Sequence, residues 1–229
     1  MFHRMNTALA TFGVMAALPT GAEATTTVAQ WNMDETYGTT MTDSSGNGND
    51  GTMYNIVTSG AGYIFDGETS KVVVPDSPTL NPGTADFSFS VQVQTSVVPA
   101  IGQDYDLLRK GNVGTKGGEY KIEMTRANGK AKALCLVKDS LGHSKSVTGG
   151  GPLNLADNQL HTITCTKTAT SLSIKVDLRT PATKAASIGS ISNTLPLLLG
   201  VKTVGAPEND PTSDWYNGAM RSATITVEP

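Results

Sequence analysis

No run of Lys or Arg occurs in the chain, and 17 Lys and Arg are outnumbered by 20 Asp and Glu, for a net charge of −3. A phosphate backbone is held by clustered basic side chains, so the balance excludes nucleic acid as a partner. Long apolar runs are missing too. The stretch from about Ala8 to Leu18 falls short of the ~20 residues that a bilayer-spanning helix needs, and no later stretch is long enough, so no membrane span is expected. Aromatic residues make up only 6% of the chain, which leaves few rings for stacking on a ligand. There is no Gly-x-Ser-x-Gly elbow, no His-Glu-x-x-His and no Gly-rich phosphate loop ending in Lys-Ser/Thr. Catalysis through those devices therefore has no anchor.

What is present begins at the N-terminus. Met1-Phe2-His3-Arg4, the apolar stretch to Leu18 and a small-x-small site ending at Ala24 are the three parts of a secretory signal. The reading is a signal peptide over 1–24 and one domain over 25–229, secreted into the extracellular space. The alternatives for the first segment are a buried core helix or a membrane anchor. Only two cysteines occur, Cys135 and Cys165. An even count in an exported chain favours a disulfide over a metal site or a nucleophile, with two buried free thiols as the alternative. Both lie in strand-like stretches, so a bridge is expected to tie two neighbouring strands.

Period-two alternation recurs along the chain. Phe87-Ser88-Phe89-Ser90-Val91-Gln92-Val93-Gln94 sets apolar side chains on one face and polar ones on the other, as a half-buried strand does. Tyr120 to Met124, Leu172 to Val176 and Ala223 to Val227 repeat the pattern. Between them lie turn-forming stretches such as Asn81-Pro82-Gly83, Gly114 to Gly118, Asn128-Gly129 and Gly149 to Pro152. No stretch holds a 3.6-residue period. One-sided antiparallel strands must pair their apolar faces, which predicts an all-β, two-sheet antiparallel β-sandwich.

An ordered series of motifs runs through the chain: Trp31-Asn32-Met33-Asp34-Glu35, Asp43 to Gly51, Phe65-Asp66-Gly67, Leu107 to Gly111, Gly118 to Lys121, Leu160 to Cys165, and Trp215-Tyr216-Asn217-Gly218. The series resembles the laminin-G-like, concanavalin A-like domains of secreted bacterial proteins. The resemblance implies a jelly roll with a face or loop rim that meets sugars or proteins. Many relatives are binding modules, while others in the wider superfamily are glycan hydrolases or lyases, so the fold leaves activity open. Leu160, Leu178 and Arg221 depart from the family pattern, which has Trp, Gly and an acidic residue at those places.

The Asp43 to Gly51 loop crowds oxygen donors into a Gly-rich segment of the kind that suits calcium, and in similar domains it helps hold a structural calcium ion. Asp43 and Asn47 are the candidate donors, with Asp214 added from the C-terminal end. The alternative is a turn in which Asp43, Asn47 and Asn49 bond their own backbone. For glycoside hydrolysis, Glu119 and Glu123 share a strand face but stand some 13 Å apart. That exceeds the ~5.5 Å or ~9.5 Å separations of retaining and inverting sites. Lyase parts are available in His143, His161, Tyr120, Arg109 and Lys110, without a recognisable motif.

Sugar recognition calls for exposed rings beside amide or carboxylate groups. Loop positions suggest Tyr37, Tyr54, Tyr105, Trp215 and Tyr216, while Trp31, Phe65, Phe87 and Phe89 read as core. The expected ligand-binding set is Tyr105, Arg109, Tyr120, Trp215 and Tyr216, and the row Ser88, Ser90, Gln92 and Gln94 is either a polar binding face or a solvated sheet. The functional expectation is a secreted carbohydrate-binding, lectin-like domain whose partner is a polysaccharide or glycan. A small polysaccharide hydrolase or lyase and a protein-binding adhesion module are the alternatives.

Overall fold

A computed structural model describes residues 24–228. The expected signal peptide, apart from its last residue, lies outside the described residues. The strands are β1 (Thr26–Trp31), β2 (Thr40–Met41), β3 (Gly51–Tyr54), β4 (Val57–Thr58), β5 (Tyr63–Asp66), β6 (Lys71–Val74), β7 (Asp86–Gln94) and β8 (Tyr105–Lys110). There follow β9 (Glu119–Ala127), β10 (Lys130–Lys138), β11 (Ser144–Thr148), β12 (His161–Lys167), β13 (Ser171–Val176), β14 (Ala182–Ala185), β15 (Leu197–Leu199) and β16 (Asn217–Glu228). The described helical turns are two short 3-10 segments, Pro78–Leu80 and Pro211–Ser213.

Two antiparallel sheets form the expected sandwich. The first runs β14-β13-β12-β7-β16-β5-β4, with β1 also paired to β16; the second runs β11-β10-β9-β8-β15-β6-β3-β2. Long β16 makes this possible, because β5 pairs with its Asn217 to Met220 end and β1 with its Ala223 to Val227 end. The β9–β10 hairpin turns on Asn128-Gly129, at φ 51° and 74°, the positive pair that matches the twist of the strands it joins.

Alternation set the core as expected. In β7, Phe87, Phe89, Val91 and Val93 point inward and are buried. From the opposite sheet, Tyr120 packs on Phe87 and Phe89 with ring centroids 5.3 and 5.1 Å away. Trp31 is fully buried and its indole Nε1 donates to the Asn49 carbonyl at 2.8 Å. That bond keeps the polar end of the ring from being stranded in an apolar interior.

Cys135 and Cys165 are bridged, with Cα atoms 5.9 Å apart. The strands they join, β10 and β12, belong to opposite sheets. The bridge therefore crosses the core, where the sequence had suggested neighbouring strands. Both side chains point inward from facing sheets, so alternation along each strand is compatible with either arrangement.

The two outer faces differ. On the first sheet, Ser88, Ser90 and Gln92 lie opposite Thr166, Thr164 and Thr162, and the side chains bond one another, as in Ser88 with Thr166 at 2.8 Å. On the second sheet the segment after β15 folds across the strands, so that Trp215 packs on Leu198, Val201 and Ala206 with Val73 beside them. Gly200 starts that segment at φ 81°, and a Cβ there would overlap the Phe65 ring. The segment is closed by bonds from Tyr216 N to the Gly200 carbonyl and from Lys202 N to the Ser213 carbonyl.

Candidate functional site

Beside this cross-over segment lies a cleft of about 240 Å³. Its wall joins three distant stretches of chain: Gly67 and Glu68 after β5, Gln103 to Tyr105 entering β8, and Asn209 to Asn217 entering β16. Glu68, Asp104 and Asp210 supply carboxylates, Gln103, Asn209 and Asn217 supply amides, and Tyr105 and Trp215 supply rings.

Each stretch is held by local bonding. The Asp66 carboxylate gathers the N–H groups of Glu68, Thr69 and Ser70 at 2.8–2.9 Å. Burial of Asp66 raises its pKa, and these donors together with the Thr69 hydroxyl outweigh it, so the carboxyl lies well below its usual range. Asn209 N donates to the Glu68 carbonyl at 3.1 Å, tying the cross-over segment to that turn. Asp210 caps the Pro211–Ser213 turn, accepting from Thr212 N at 3.0 Å and Ser213 Oγ at 2.7 Å.

Behind the wall lies a layer of buried charge. Asp106 accepts from Arg109 Nε at 3.0 Å, Arg109 Nη2 reaches Glu123 at 3.5 Å, and Lys121 also pairs with Glu123. Asp214 pairs with Lys202 at 2.9 Å, while its carbonyl accepts from Asp106 N at 2.9 Å. Burial drives the Asp106 carboxyl upward; Arg109 opposes this and Glu123 reinforces it, and one oxygen, Oδ2, is buried without a partner. Asp104, half-buried at the cleft, is raised first by burial and then by Glu123 and Asp214.

The structure redistributes the residues picked from sequence. Tyr105 and Trp215 do meet at one cleft, but at 8% and 4% exposure they offer edges and no stacking face. Tyr216 is wholly buried, its hydroxyl donating to the carbonyls of Gln94 at 3.1 Å and Ala219 at 3.0 Å. Tyr120 is likewise core, its hydroxyl bound to the Leu80 carbonyl at 3.0 Å. Arg109 is 2% exposed and engaged by Asp106 and Glu123. These three therefore have no surface with which to meet a ligand. Among the described residues, the exposed phenol rings are Tyr37 at 86% and Tyr54 at 45%.

Asp43 and Asn47 meet at one turn through the Ser45 hydroxyl, and Asp214 is engaged separately by Lys202. Asp43 organises a turn: Oδ1 accepts from Gln30 N and Ser45 N, and Oδ2 from Asn49 N and the Ser45 hydroxyl, all at 2.8–2.9 Å. Asn47 bonds Ser45 and the Thr27 carbonyl, and Asp214 is held by Lys202. Among the described residues, no group of three or more His, Cys, Asp or Glu side chains is placed to hold a metal ion.

The parts of a hydrolase or lyase are bound up in the protein's own pairing: Lys110 and Tyr120 are cross-strand partners, and both are fully buried. Asp106 and Glu123 are cross-strand neighbours, but both are buried and bridged by Arg109, leaving no opening for a glycosidic bond between them. His161 sits on the first sheet between Asp157 and Asp177, 2.9 Å from each, remote in bonding from Tyr120 and Arg109. His143 is an exposed side chain on a turn organised by Asp139.

Sequence reasoning missed Glu68, Asp104, Asn209 and Asp210, since each sits in a polar loop with no motif around it. The Asp66-Gly67-Glu68 turn was the one local signal, and it marks a turn without indicating a cleft.

No protein-family model matches the chain, and no curated protein does. Solved structures share its fold. The binding domain of Paraclostridial Mosquitocidal Protein 1 superposes with a TM-score of 0.65 at 15% identity, over 89% of this chain and 48% of that one. Domain 4 of AbnA, an extracellular GH43 arabinanase from Geobacillus stearothermophilus solved with arabinotriose, matches at 0.61 and 13%, over 90% of this chain and 94% of that one. A structure of botulinum neurotoxin type C, whose cell entry depends on two ganglioside molecules, matches at 0.59 and 11%, over 89% and 46%. This chain thus spans about half of the toxin chains and nearly all of the arabinanase domain. At these identities the likeness establishes a shared β-sandwich fold.

Proposed function

We propose that this protein is a carbohydrate-binding domain and that the cleft between the turn after β5 and the segment before β16 is its glycan site. The observation that carries the reading is the cleft's wall, in which three amides and three carboxylates surround the edges of two aromatic rings. Sugar hydroxyls are both donors and acceptors, and such a mixed wall satisfies them in fixed directions. Support also comes from relatives of the same fold, one solved with arabinotriose and one dependent on gangliosides. The proposal places the domain outside the cytoplasm, in keeping with the pattern over 1–24 and with a disulfide in the core.

The test is retention of the purified protein on a broad panel of neutral, amine-bearing and acidic polysaccharides, beside a Gln103→Ala/Asp104→Ala variant. These two side chains are partly exposed, so the variant is expected to melt near the parent temperature while losing about tenfold or more in affinity. Retention that the variant leaves untouched, or a panel on which nothing is retained, refutes the site or the function respectively.

A further inference from the structure

The cleft is lined by negative charge, which Lys121 and Lys202 offset only from behind its wall. Glu68, Asp104 and Asp210 line it, and among the described residues no Lys, Arg or His does. The acidic groups behind the wall are each matched by a cation: Asp106 by Arg109, Glu123 by Lys121, and Asp214 by Lys202. Lys71 touches the wall only through the Trp215 ring, 5.5 Å from its centroid, and its ammonium is bound to the Val204 carbonyl. What a ligand touches in the wall is therefore the three lining carboxylates, while Lys202 acts on Asp104 and Asp210 and Lys121 on Asp104 without lining the cleft.

Those three are not equivalent. Asp210 is occupied by Thr212 and Ser213, whose donors it caps. Glu68 is exposed to water at the rim. Asp104 is half-buried, and among the described residues none donates a hydrogen bond to its carboxylate. A half-buried carboxylate without a donor is costly in water-poor surroundings and is relieved by a cationic hydrogen-bond donor.

We infer that the cleft selects glycans bearing a protonated amine over their neutral counterparts and rejects uronates, with Asp104 as the specificity-determining side chain. The inference rests on the glycan-binding reading and gives it a substrate class: oligosaccharides of amino sugars with free amines. An ammonium against Asp104 replaces the donor that the protein does not supply, and it stabilises a charged form that burial first, and then Glu123 and Asp214, disfavour. An incoming uronate carboxylate would instead add a fourth like charge to the same small space, which is the repulsive element that specificity requires.

The experiment is calorimetric titration of the full chain with three oligosaccharides of matched length: a glucosamine oligomer, its N-acetylated neutral form, and a uronate oligomer. Wild type is compared with Asp104→Asn, which keeps the side-chain shape and removes the charge. The expected order is amine tighter than N-acetyl by about tenfold, with no measurable uronate binding. Asp104→Asn is expected to erase the preference between the amine and N-acetyl forms, and added salt is expected to shrink that preference in wild type. Equal binding of amine and uronate forms, or a preference that survives in Asp104→Asn, overturns the inference. Retention of some other neutral glycan on the broad panel while none of these three binds overturns it too, yet leaves the binding reading standing. Only a panel on which nothing binds removes both.

Discussion

Reducing the Cys135–Cys165 bridge tests how the two sheets are held together. The bridged residues are 30 apart in sequence, and closing a loop of that length removes about 12 cal/mol/K of entropy from the unfolded chain, worth about 3.6 kcal/mol at 25 °C. For a domain of about 200 residues each kcal/mol shifts the melting temperature by about 2–4 °C, so reduction should lower it by about 7–14 °C. The bridge joins β10 to β12 across the core, and strand pairing within each sheet does not depend on it. The reduced protein should therefore keep its far-UV circular dichroism below the new transition. Thermal melts with and without reductant are the assay, alongside a Cys135→Ala/Cys165→Ala variant and a count of two free thiols after unfolding. A melting temperature that moves by less than about 2 °C with both thiols free refutes the reasoning, since the cross-link would then not be constraining the unfolded chain.

His161 should give the domain a pH dependence. Burial lowers its pKa, but hydrogen bonds to Asp177 and Asp157 outweigh that and raise it. Its contribution to stability is then complete below about pH 6.5 and is lost as the pH rises through the folded value. Melts from pH 5 to 9 should decline more steeply in wild type than in His161→Gln, and parallel profiles would count against the clamp. Asp43→Ala should cost about 2–4 kcal/mol in denaturant melts, because four donors lose their acceptor; a loss below about 1 kcal/mol would mean the turn is held by something else. Since those donors already engage both Asp43 oxygens, millimolar calcium is expected to leave the melting temperature unchanged, and a rise of several degrees that Asp43→Ala abolishes would restore a cation to this loop. Gly200→Ala should destabilise by about 2 kcal/mol or more, from positive φ and overlap with Phe65. Wild-type stability in that variant would show that the cross-over segment can re-form around a side chain.

Much of the architecture was legible because strand alternation is a local property. The inward Phe87, Phe89, Val91 and Val93 and the Asn128-Gly129 turn needed no partner to be recognised. Alternation failed in β8, where all six residues are buried and the register slips between Asp106 and Leu108. That bulge leaves Lys110 fully buried, with its ammonium bound to Asp76 and the carbonyls of Asn193 and Leu195, so two cations that looked available in sequence are both engaged by the protein.

By itself, then, the sequence determined the fold class and the pairing of its only cysteines, because period-two burial and an even cysteine count each act without knowledge of neighbours. Tertiary structure alone decided that the disulfide crosses between sheets, that Tyr120, Tyr216 and Arg109 are enclosed, and that Glu68, Asp104 and Asp210 line one cleft. Those outcomes depend on which strands stack and on where long connections return, and contacts between residues tens of positions apart leave no periodic trace in the chain.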